Sequence, residues 1–218
     1  MTRLALVFDD GFGWSCARIA ELCAARGLGA TFAVLGDPQH VAHAALAGDW
    51  GLWRELRAAG HRIDPHGWRH GRMWEQPHAE AVADAEATLA VFDRELPGFD
   101  PATAVWHYPY NCGTAELDHW LLTRVAAVRC GGDGLNSAAQ LAERRLSSTG
   151  HGPGNCDMHL LAFLDQVLQV RPAAAVYTAH GLADQGWGPL SADGLARALD
   201  RIVAEPEFSW WTLDGLAP

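Results

Sequence analysis

The sequence predicts an α/β fold around a parallel sheet, and three observations favour a barrel. Short apolar runs alternate with amphipathic segments along the whole chain of 218 residues. Strands separated by helices need crossover connections, which make neighbouring strands parallel. Polar residues follow the predicted strands, where the strands of such a fold open into a common cleft. Because no linker or repeat interrupts the pattern, residues 1–218 are predicted to form one domain.

The predicted strands are short apolar runs that stop at polar residues or at a change of pattern. The first run, residues 4–8, contains only Leu, Ala, Val and Phe before two aspartates end it. Such continuous apolar character is typical of strands that are covered on both faces. The seven predicted strands are residues 4–8, 30–35, 61–64, 104–107, 126–129, 173–178 and 208–213.

The predicted helices are amphipathic segments. In the first of them Ile19, Leu22 and Cys23 share one face, and Gly27 provides a left-handed end. Gly60 ends the second helix in the same way. A stretch rich in Gly and Ser, residues 147–156, is predicted to be a mobile loop near the site. The six predicted helices are residues 15–26, 50–59, 78–96, 114–124, 157–170 and 192–205.

Charge excludes several classes of partner and mechanism. The chain has 26 acidic residues against 16 basic ones, all of them Arg, and a formal charge of -10. An acidic protein repels phosphate backbones and anionic lipid, so no nucleic-acid or membrane partner is expected. The absence of Lys from the sequence excludes a Schiff-base lysine and a phosphate-loop lysine. The sequence leaves the oligomeric state open.

The cysteines and the N-terminal residues indicate the cytoplasm. There are five cysteines, and none of them forms a C-x-x-C pair. An odd number without that spacing fits neither a disulfide framework nor a thiolate zinc site. The first apolar run is shorter than the apolar core of a signal peptide. We therefore expect a reducing, cytoplasmic environment.

Five polar residues after predicted strands suggest a hydrolytic metal site. His66 and His70 form H-x-x-x-H, a spacing that places two imidazoles on one side of a helical turn. Asp9 and Asp10 leave one buried strand, so one carboxylate can bind a cation while the other takes a proton from water. His180 follows the sixth strand. Two His with one carboxylate leave a coordination position open for water.

Each of these patterns also has an ordinary structural interpretation. The two histidines can be solvent-facing residues of a polar turn, and the aspartates can belong to a tight D-G turn. A third alternative is a dinucleotide-binding loop, because Gly11, Gly13 and Cys16 form G-x-G-x-x-C between a strand and a helix. The final Cys and the preceding aspartates argue against an anionic pyrophosphate there.

Four motifs in the same order make the chain resemble the polysaccharide deacetylase (NodB-homology) family, carbohydrate esterase family four. Residues 7–12, V-F-D-D-G-F, are similar to its T-F-D-D-G motif. Residues 60–70 include the segment that resembles H-[ST]-x-x-H. Residues 107–110, H-Y-P-Y, stand where R-x-P-Y is expected, and residues 177–181, Y-T-A-H-G, where L-x-x-H is expected. Residues 210–216, W-W-T-L-D-G-L, resemble the last strand of many members.

The resemblance implies a distorted, seven-stranded β/α barrel and metal-dependent removal of an N-acetyl group, usually from an amino sugar. It implies a divalent ion, with zinc as the default and cobalt, nickel or iron as alternatives. The implied site consists of metal ligands, a general base, a backbone N–H for the oxyanion and a general acid. The resemblance assigns metal binding to Asp10, His66 and His70. It makes Asp9 the general base, the Tyr110 N–H the oxyanion donor and His180 the general acid.

The chain departs from the family at the residue that contacts the base. His107 stands where the family has Arg, which leaves the orientation of Asp9 to another group. Arg129 follows the next strand and is our candidate for the missing cation, so it joins the predicted catalytic set. This hypothesis requires the Arg129 guanidinium to lie beside Asp9.

Two further departures concern the general acid and the substrate. No D-x-x-D-W motif is visible, so the carboxylate that tunes the acid His has no clear counterpart, and Asp133 and Asp157 are weak candidates. Four tryptophans near the motifs could stack on sugar rings, but the core is our first interpretation for each. They are Trp68, Trp74, Trp106 and Trp187.

The sequence therefore predicts a metal-dependent amidohydrolase for a small N-acetylated amino sugar, nucleotide-sugar or related N-acylated metabolite. The changed motifs favour a small or unusual substrate over a long glycan. Two alternatives stay open: a metal-independent amide or cyclic-imide hydrolase on the same scaffold, and a non-catalytic sugar-binding module.

Overall fold

The computed structural model describes residues 1–40 and 42–216 of the chain. Nine strands occur in this part, and they are numbered β1 to β9 in chain order. They are Thr2–Phe8, Thr31–Val34, Arg62–Pro65, Val105–His107, Ala127–Gly131, Leu135–Asn136, Arg145–Ser148, Ala174–Ala179 and Phe208–Trp210. The helices α1 to α7 are Gly13–Ala24, Trp50–Ala58, His78–Glu95, Ala115–Leu121, Ala138–Ala142, Cys156–Val170 and Ala192–Ala204. None of the described helices has the length and apolar character needed to cross a membrane.

The strands form two sheets that are almost entirely parallel, which confirms the predicted α/β class. The larger sheet has the order β3-β2-β1-β8-β6, with β9 also paired to β1, and the smaller has the order β4-β5-β7. The exception is β6, which pairs antiparallel with β8. Helices in the crossover connections account for the parallel pairing.

The two sheets meet at two edges, so the ring of strands is only partly hydrogen-bonded. At one edge the Val105 N–H faces Asp64 Oδ1 at 3.4 Å, which joins β4 to β3 through a side chain. At the other edge the Thr149 N–H donates to the Val176 carbonyl at 3.2 Å. The Thr178 N–H in turn donates to Thr149 at 2.7 Å. This arrangement is a distorted barrel.

Strand alternation divides the core into a cluster enclosed by the strands and clusters beneath the helices. In β1, Ala5 and Val7 belong to the enclosed cluster, whereas Leu4, Leu6 and Phe8 pack against the helices. Small residues dominate the inward series because strands from both sheets share a narrow interior. Residues that continue this inward series past the strand ends line one end of the barrel.

Residues 135–148 contain three elements that the sequence interpretation missed. They are β6, α5 and β7, and together they raise the number of strands from the predicted seven to nine. Helix α5 is only five residues long and begins with a capping box between Ser137 and Gln140, too short for a helical period to show. The predicted loop 147–156 is also wrong at its start, because Ser147 and Ser148 end β7.

Candidate metal centre and catalytic cavity

Asp9 and Asp10 follow β1 and leave it in different directions. Asp9 continues the inward series of Ala5 and Val7, as the two-residue period of a strand requires. Its N–H donates to the Ala179 carbonyl at 2.9 Å, which fixes it to the end of β8. Asp10 has a φ of 73°, a left-handed conformation that turns the chain away from the strand. One carboxylate therefore enters the barrel interior and the other faces the loops.

His66 and His70 lie on the loop after β3, and the expected helical turn is wrong. Residues 66–70 form an irregular loop in which Gly67 and His70 have φ values of 79° and 55°. A Cβ at Gly67 would lie 3.0 Å from a side-chain carbon of Pro109, which is tighter than most Cβ contacts in proteins. Glycine at this position of the H-x-x-x-H segment therefore has a conformational and a steric reason.

The two imidazoles converge on one carboxylate oxygen. His66 Nδ1 lies 2.9 Å from the His107 carbonyl, which can only accept, so this nitrogen carries the proton. The other nitrogen, Nε2, lies 3.4 Å from Asp10 Oδ1. His70 Nε2 lies 3.3 Å from the same oxygen. One atom from each of the three side chains lies within 4.8 Å of the other two.

This donor set fits a divalent cation of the hydrolytic type. Oδ1 of Asp9 and Oδ1 of Asp10 are buried and have no hydrogen-bond partner among the described residues. A buried carboxylate oxygen without a partner is costly, and a bound cation removes that cost. Two imidazoles and one carboxylate match catalytic zinc sites, which keep a fourth position open. Asp10, His66 and His70 therefore fit zinc, and the same donors also accept cobalt, nickel or iron.

The charges in this cluster favour a cation or a proton at His66. Burial opposes the charged form of His66, but Asp9 and Asp10 outweigh it and raise the pKa of His66 above its ordinary value. Burial and the neighbouring His66 lower the pKa of His70 to about 4. Burial also opposes ionisation of Asp10, yet His66 holds the pKa of Asp10 well below its usual range. A metal ion here competes with a proton on His66.

Arg129 contacts Asp9, the predicted base, inside the barrel. Its NH2 donates to Asp9 Oδ2 at 2.7 Å, and the Arg129 side chain is fully buried. Burial alone would raise the pKa of Asp9, but the charge of Arg129, with smaller contributions from the neighbouring histidines, outweighs burial, and the pKa of Asp9 lies below its ordinary value. Asp9 is therefore ionised at neutral pH, with one oxygen held by Arg129 and the other oxygen without a partner.

Arg129 lies within β5 and points inward, so the strand extends past the predicted end of its run. The remaining donors of the guanidinium are occupied by neutral acceptors on neighbouring strands and loops. Its NH1 approaches Asn111 Oδ1 at 2.5 Å, Ser148 Oγ at 3.1 Å and Thr178 Oγ1 at 2.8 Å. Its Nε donates to His107 Nδ1 at 2.6 Å.

His180 lines the same cavity, but neither predicted carboxylate partner contacts it. Asp157 accepts from the Ser191 N–H at 2.9 Å and from the Ser191 hydroxyl at 2.5 Å, so it supports the start of α7. Asp133 accepts from the Leu135 N–H at 2.9 Å. His180 Nδ1 is buried and has no hydrogen-bond partner in the described part of the chain. Both candidate partners were therefore wrong.

The cavity between these residues has a volume of about 410 Å³ and two exposed aromatic walls. Tyr110 packs against His70 with ring centroids 4.4 Å apart, and 53% of Tyr110 is exposed. Trp187 meets His180 edge to face at 5.8 Å and is 56% exposed, so the core interpretation is wrong for this residue. That interpretation is confirmed for Trp106, which is fully buried.

Sequence reasoning missed one residue of the cavity, Asn111, and the role of Asp64 behind it. Asn111 lines the cavity beside Tyr110, and both residues have positive φ, 57° and 54°. Left-handed non-glycine residues cost about 1–3 kcal/mol each and often occur at functional sites. An N-C-G sequence after a Y-P-Y segment gives no signal for that strain. Asp64, the last residue of the predicted strand 61–64, is given no role by the sequence, although its Oδ2 lies 3.4 Å from Nε2 of His107.

The sequence comparison gives a match over the first half of the chain. A family model described as polysaccharide deacetylase matches residues 2–122. This segment includes the strand end with both aspartates, the loop with His66 and His70, and Tyr110. No curated protein matches the sequence.

Solved structures of similar fold are found in three bacteria. The family 4 carbohydrate esterase of Streptomyces lividans, in complex with acetate, matches with a TM-score of 0.63 and 16% identity over 100% of this chain and 97% of its own. The Streptococcus mutans family 4 esterase matches with a TM-score of 0.64 and 19% identity over 96% of this chain and 85% of its own. The Bacillus subtilis peptidoglycan deacetylase matches with a TM-score of 0.59 and 16% identity over 93% of this chain and 84% of its own.

Sequence identities this low show only that the fold is shared. The family assignment rests on the match to the family model. The matched segment is more than half of the chain and contains Asp9, Asp10, His66 and His70 in motif order. This chain belongs to the polysaccharide deacetylase family.

Proposed function

We propose that the chain is a metal-dependent N-deacetylase that hydrolyses the acetamide group of a small N-acetylated amino sugar. One observation carries the proposal: Asp10, His66 and His70 converge within 4.8 Å, and the Arg129-paired Asp9 lines the same cavity. The family membership and the deacetylase and esterase names of the similar structures support the same class of reaction.

The metal ligands in this proposal are Asp10, His66 and His70. A divalent ion held by these residues would supply Lewis-acid chemistry and make a water molecule easier to deprotonate. Asp9 carries out the base chemistry, because Arg129 keeps it ionised and its Oδ1 is unoccupied by any described donor. The proton of the attacking water passes to this oxygen.

The opposite half of the reaction needs a proton for the leaving nitrogen and donors for the developing oxyanion. His180 lines the cavity and is the proposed acid, since an amine anion leaves poorly without protonation. The backbone N–H of Tyr110 is the proposed oxyanion donor. A donor of this kind acts mainly on the transition state, where the negative charge is largest.

The proposed substrate is small and neutral. A volume of about 410 Å³ falls within the range of about 300–1,000 Å³ for small-molecule sites. No arginine lines the described part of the cavity, and Arg129 donates through NH1 to Asn111 and Thr178 and through NH2 to Asp9. An anionic group such as a diphosphate would therefore find no arginine to pair with in this lining and would face Asp9 and Asp10, which makes a neutral amino sugar a better fit than a nucleotide-sugar.

The test follows acetate release by the purified chain loaded with zinc. The panel contains N-acetylglucosamine, its short oligomers, a nucleotide-linked form and a peptidoglycan fragment, each with wild type and with Asp9→Asn. We expect turnover of the monosaccharide or a short oligomer by wild type and its loss in the variant. Sugar binding without acetate release would point to the sugar-binding alternative. Activity that is undiminished after chelation would point to the metal-independent hydrolase.

We also propose a reducing cellular compartment for the chain. All five cysteines are free, and four of them are buried, so the fold gains no disulfide. The corresponding experiment is fractionation of cells that express the native gene, with antibody detection. Recovery from the cytoplasmic fraction is expected, and recovery from the secreted fraction would contradict the proposal.

A further inference from the structure

A row of buried polar side chains crosses the inward faces of β3, β4 and β5 and ends at Asp9. Arg62 Nε donates to Asp64 Oδ2 at 2.5 Å, and His107 Nε2 lies 3.4 Å from the same oxygen. His107 Nδ1 accepts from Arg129 Nε at 2.6 Å, and Arg129 NH2 donates to Asp9 at 2.7 Å. His107 and Arg129 are both fully buried.

The donors in this row fix the protonation state of His107 without reference to pH. An arginine Nε–H is always a donor, so His107 Nδ1 has to be the acceptor. A ring that accepts at Nδ1 is neutral and carries its proton on Nε2. That proton faces Asp64 Oδ2, an acceptor that Arg62 holds from its other side. Arg129 thus selects the tautomer of His107, and Asp64 faces the proton on Nε2.

A neutral ring at this position has an electrostatic consequence for Asp9. Among the described residues, Asp9 is the one carboxylate that forms an ion pair with Arg129. The other partners of the guanidinium, Asn111, Ser148 and Thr178, are neutral acceptors. A carboxylate in place of the imidazole would share the charge of Arg129 and weaken its hold on Asp9.

The ring also fixes the direction of the guanidinium. A planar guanidinium that bonds through Nε at one edge and NH2 at the adjacent position has its plane set by those two partners. The His107–Nε bond therefore determines where NH2 points. Since β4 and β5 pair His107 with Arg129 in register, the ladder itself brings the two side chains together.

We propose that His107 is a positioning residue for the general base and acts through Arg129. Its neutral ring, locked by Asp64, aims the Arg129 NH2 at Asp9. This assignment rests on the proposed function, because Asp9 is the general base only if the chain is the amidohydrolase described above. His107 itself does not touch the substrate cavity.

The experiment compares three variants in the zinc-loaded chain. His107→Leu removes the acceptor for Arg129 and keeps an apolar side chain of similar volume. His107→Asn keeps an acceptor oxygen near the position of Nδ1. Tyr108→Phe is the matched control, since it removes a buried hydrogen bond to Asp118 at 2.7 Å from the neighbouring residue of the same segment. Circular dichroism and thermal melting establish folding for each variant.

Two readouts decide the outcome. For His107→Leu we expect a fall in kcat of about 10- to 100-fold with KM changed less than about threefold, as is usual for residues that orient a functional group. His107→Asn should recover most of that loss, and Tyr108→Phe should keep wild-type kcat. The Arg129 Nε–H proton resonance, observed by NMR, should exchange slowly with solvent in wild type and rapidly in His107→Leu.

Different results separate this proposal from the proposed function. Wild-type kcat in His107→Leu, or an equal loss in the Asn and Leu variants, would overturn the positioning role. A wild-type chain without amidase activity on any N-acetyl compound would overturn the proposed function and with it the role in base catalysis. In that case the Arg129 Nε–H exchange still decides whether His107 holds the guanidinium.

Discussion

Arg129 and Asp9 are 120 positions apart in the chain and form an ion pair of 2.7 Å inside the barrel. Asp9 is an inward residue at the end of β1, and Arg129 is an inward residue of β5. The cation thus reaches the predicted base from the strand next to the one that carries the family's Arg. A positive charge therefore still lies beside Asp9, but β5 supplies it instead of β4.

Replacement of Arg129 should impair both catalysis and stability. In Arg129→Met, burial of Asp9 is no longer opposed by the guanidinium, so the pKa of Asp9 rises. Because the base must be ionised, the acid limb of the kcat/KM profile should move to higher pH, and stability should fall by about 3–5 kcal/mol. Stopped assays across pH and urea unfolding measure the two effects.

Arg145→Met is the matched control for this prediction, because Arg145 pairs with Asp118 at the same distance of 2.7 Å away from the cavity. It should leave the pH profile unchanged. Should Arg129→Met fold too poorly to assay, Arg129→Lys preserves the charge but has fewer donors. An unshifted acid limb in Arg129→Met, or a strongly shifted one in the charge-preserving Arg129→Lys, would refute the role of the pair.

Metal binding should depend on Asp10. Wild type is expected to bind one equivalent of zinc and to melt at a higher temperature with metal than after chelation. At a free zinc concentration of 100 times the Kd, binding stabilises the folded chain by about 2.7 kcal/mol. Asp10→Asn should lose most of this effect because the shared carboxylate charge is gone. Metal content after dialysis and thermal melting provide the measurements. Asp93→Asn, at an exposed position of α3, is the control, and equal zinc content in both variants would contradict the ligand set.

His180 should support the late step of the reaction. His180→Asn keeps a polar side chain but cannot protonate the leaving nitrogen, so kcat should fall by about 10²- to 10⁴-fold. Zinc content should stay at the wild-type level, since His180 is not among the three converging ligands. An N-acetyl substrate with a better leaving group should recover part of the activity. Equal losses for poor and good leaving groups would exclude the acid role.

Trp187 should contribute to substrate binding through its exposed indole. A Cβ at Gly152 would lie 2.6 Å from this ring, so the indole rests directly on the loop backbone. Trp187→Ala should raise KM about fivefold to tenfold, as expected when an aromatic contact of about 1–1.5 kcal/mol is lost. Trp14→Ala is the matched control, because Trp14 is 57% exposed and absent from the cavity wall. Equal KM values for both variants would remove Trp187 from the binding site.

His61 should make the folded chain less stable in mild acid. It is 5% exposed, and its Nδ1 accepts from the Ala30 N–H at 3.0 Å. Burial lowers the pKa of His61 below its ordinary value of 6.5, so the unfolded chain takes up a proton first. Its contribution is complete above pH 6.5 and is lost as the pH falls from there towards the folded-state pKa.

Urea unfolding at pH 7.5 and pH 5.5 measures this effect. His61→Asn keeps an acceptor for Ala30 without a titrating ring, so its loss of stability between the two pH values should be smaller than in wild type. His119→Asn, on an exposed position of α4, should behave like wild type. A wild-type pH dependence in His61→Asn would contradict the prediction.

The fold was predictable wherever the local pattern was long. Strands such as β1 and helices such as α3 have a clear period and lie within a few residues of their predicted bounds. The elements β6, α5 and β7 escaped because two to five residues cannot show a period. Two of these elements are held by strand pairing: β7 pairs with β5, and β6 pairs with β8, which lies far along the chain.

The sequence by itself determined the α/β class. Its motifs also identified the candidate site residues Asp9, Asp10, His66, His70 and His180, because hydrophobic pattern and motif spacing are local signals. The tertiary structure decided how the site is held together. Only register between β4 and β5 brings His107 beside Arg129, and only the packing of the two sheets around one interior brings that cation to Asp9. The loop backbone after β8 decides that Trp187 faces the cavity instead of the core. These outcomes depend on contacts between residues far apart in the chain, and a local pattern cannot encode which of them will meet.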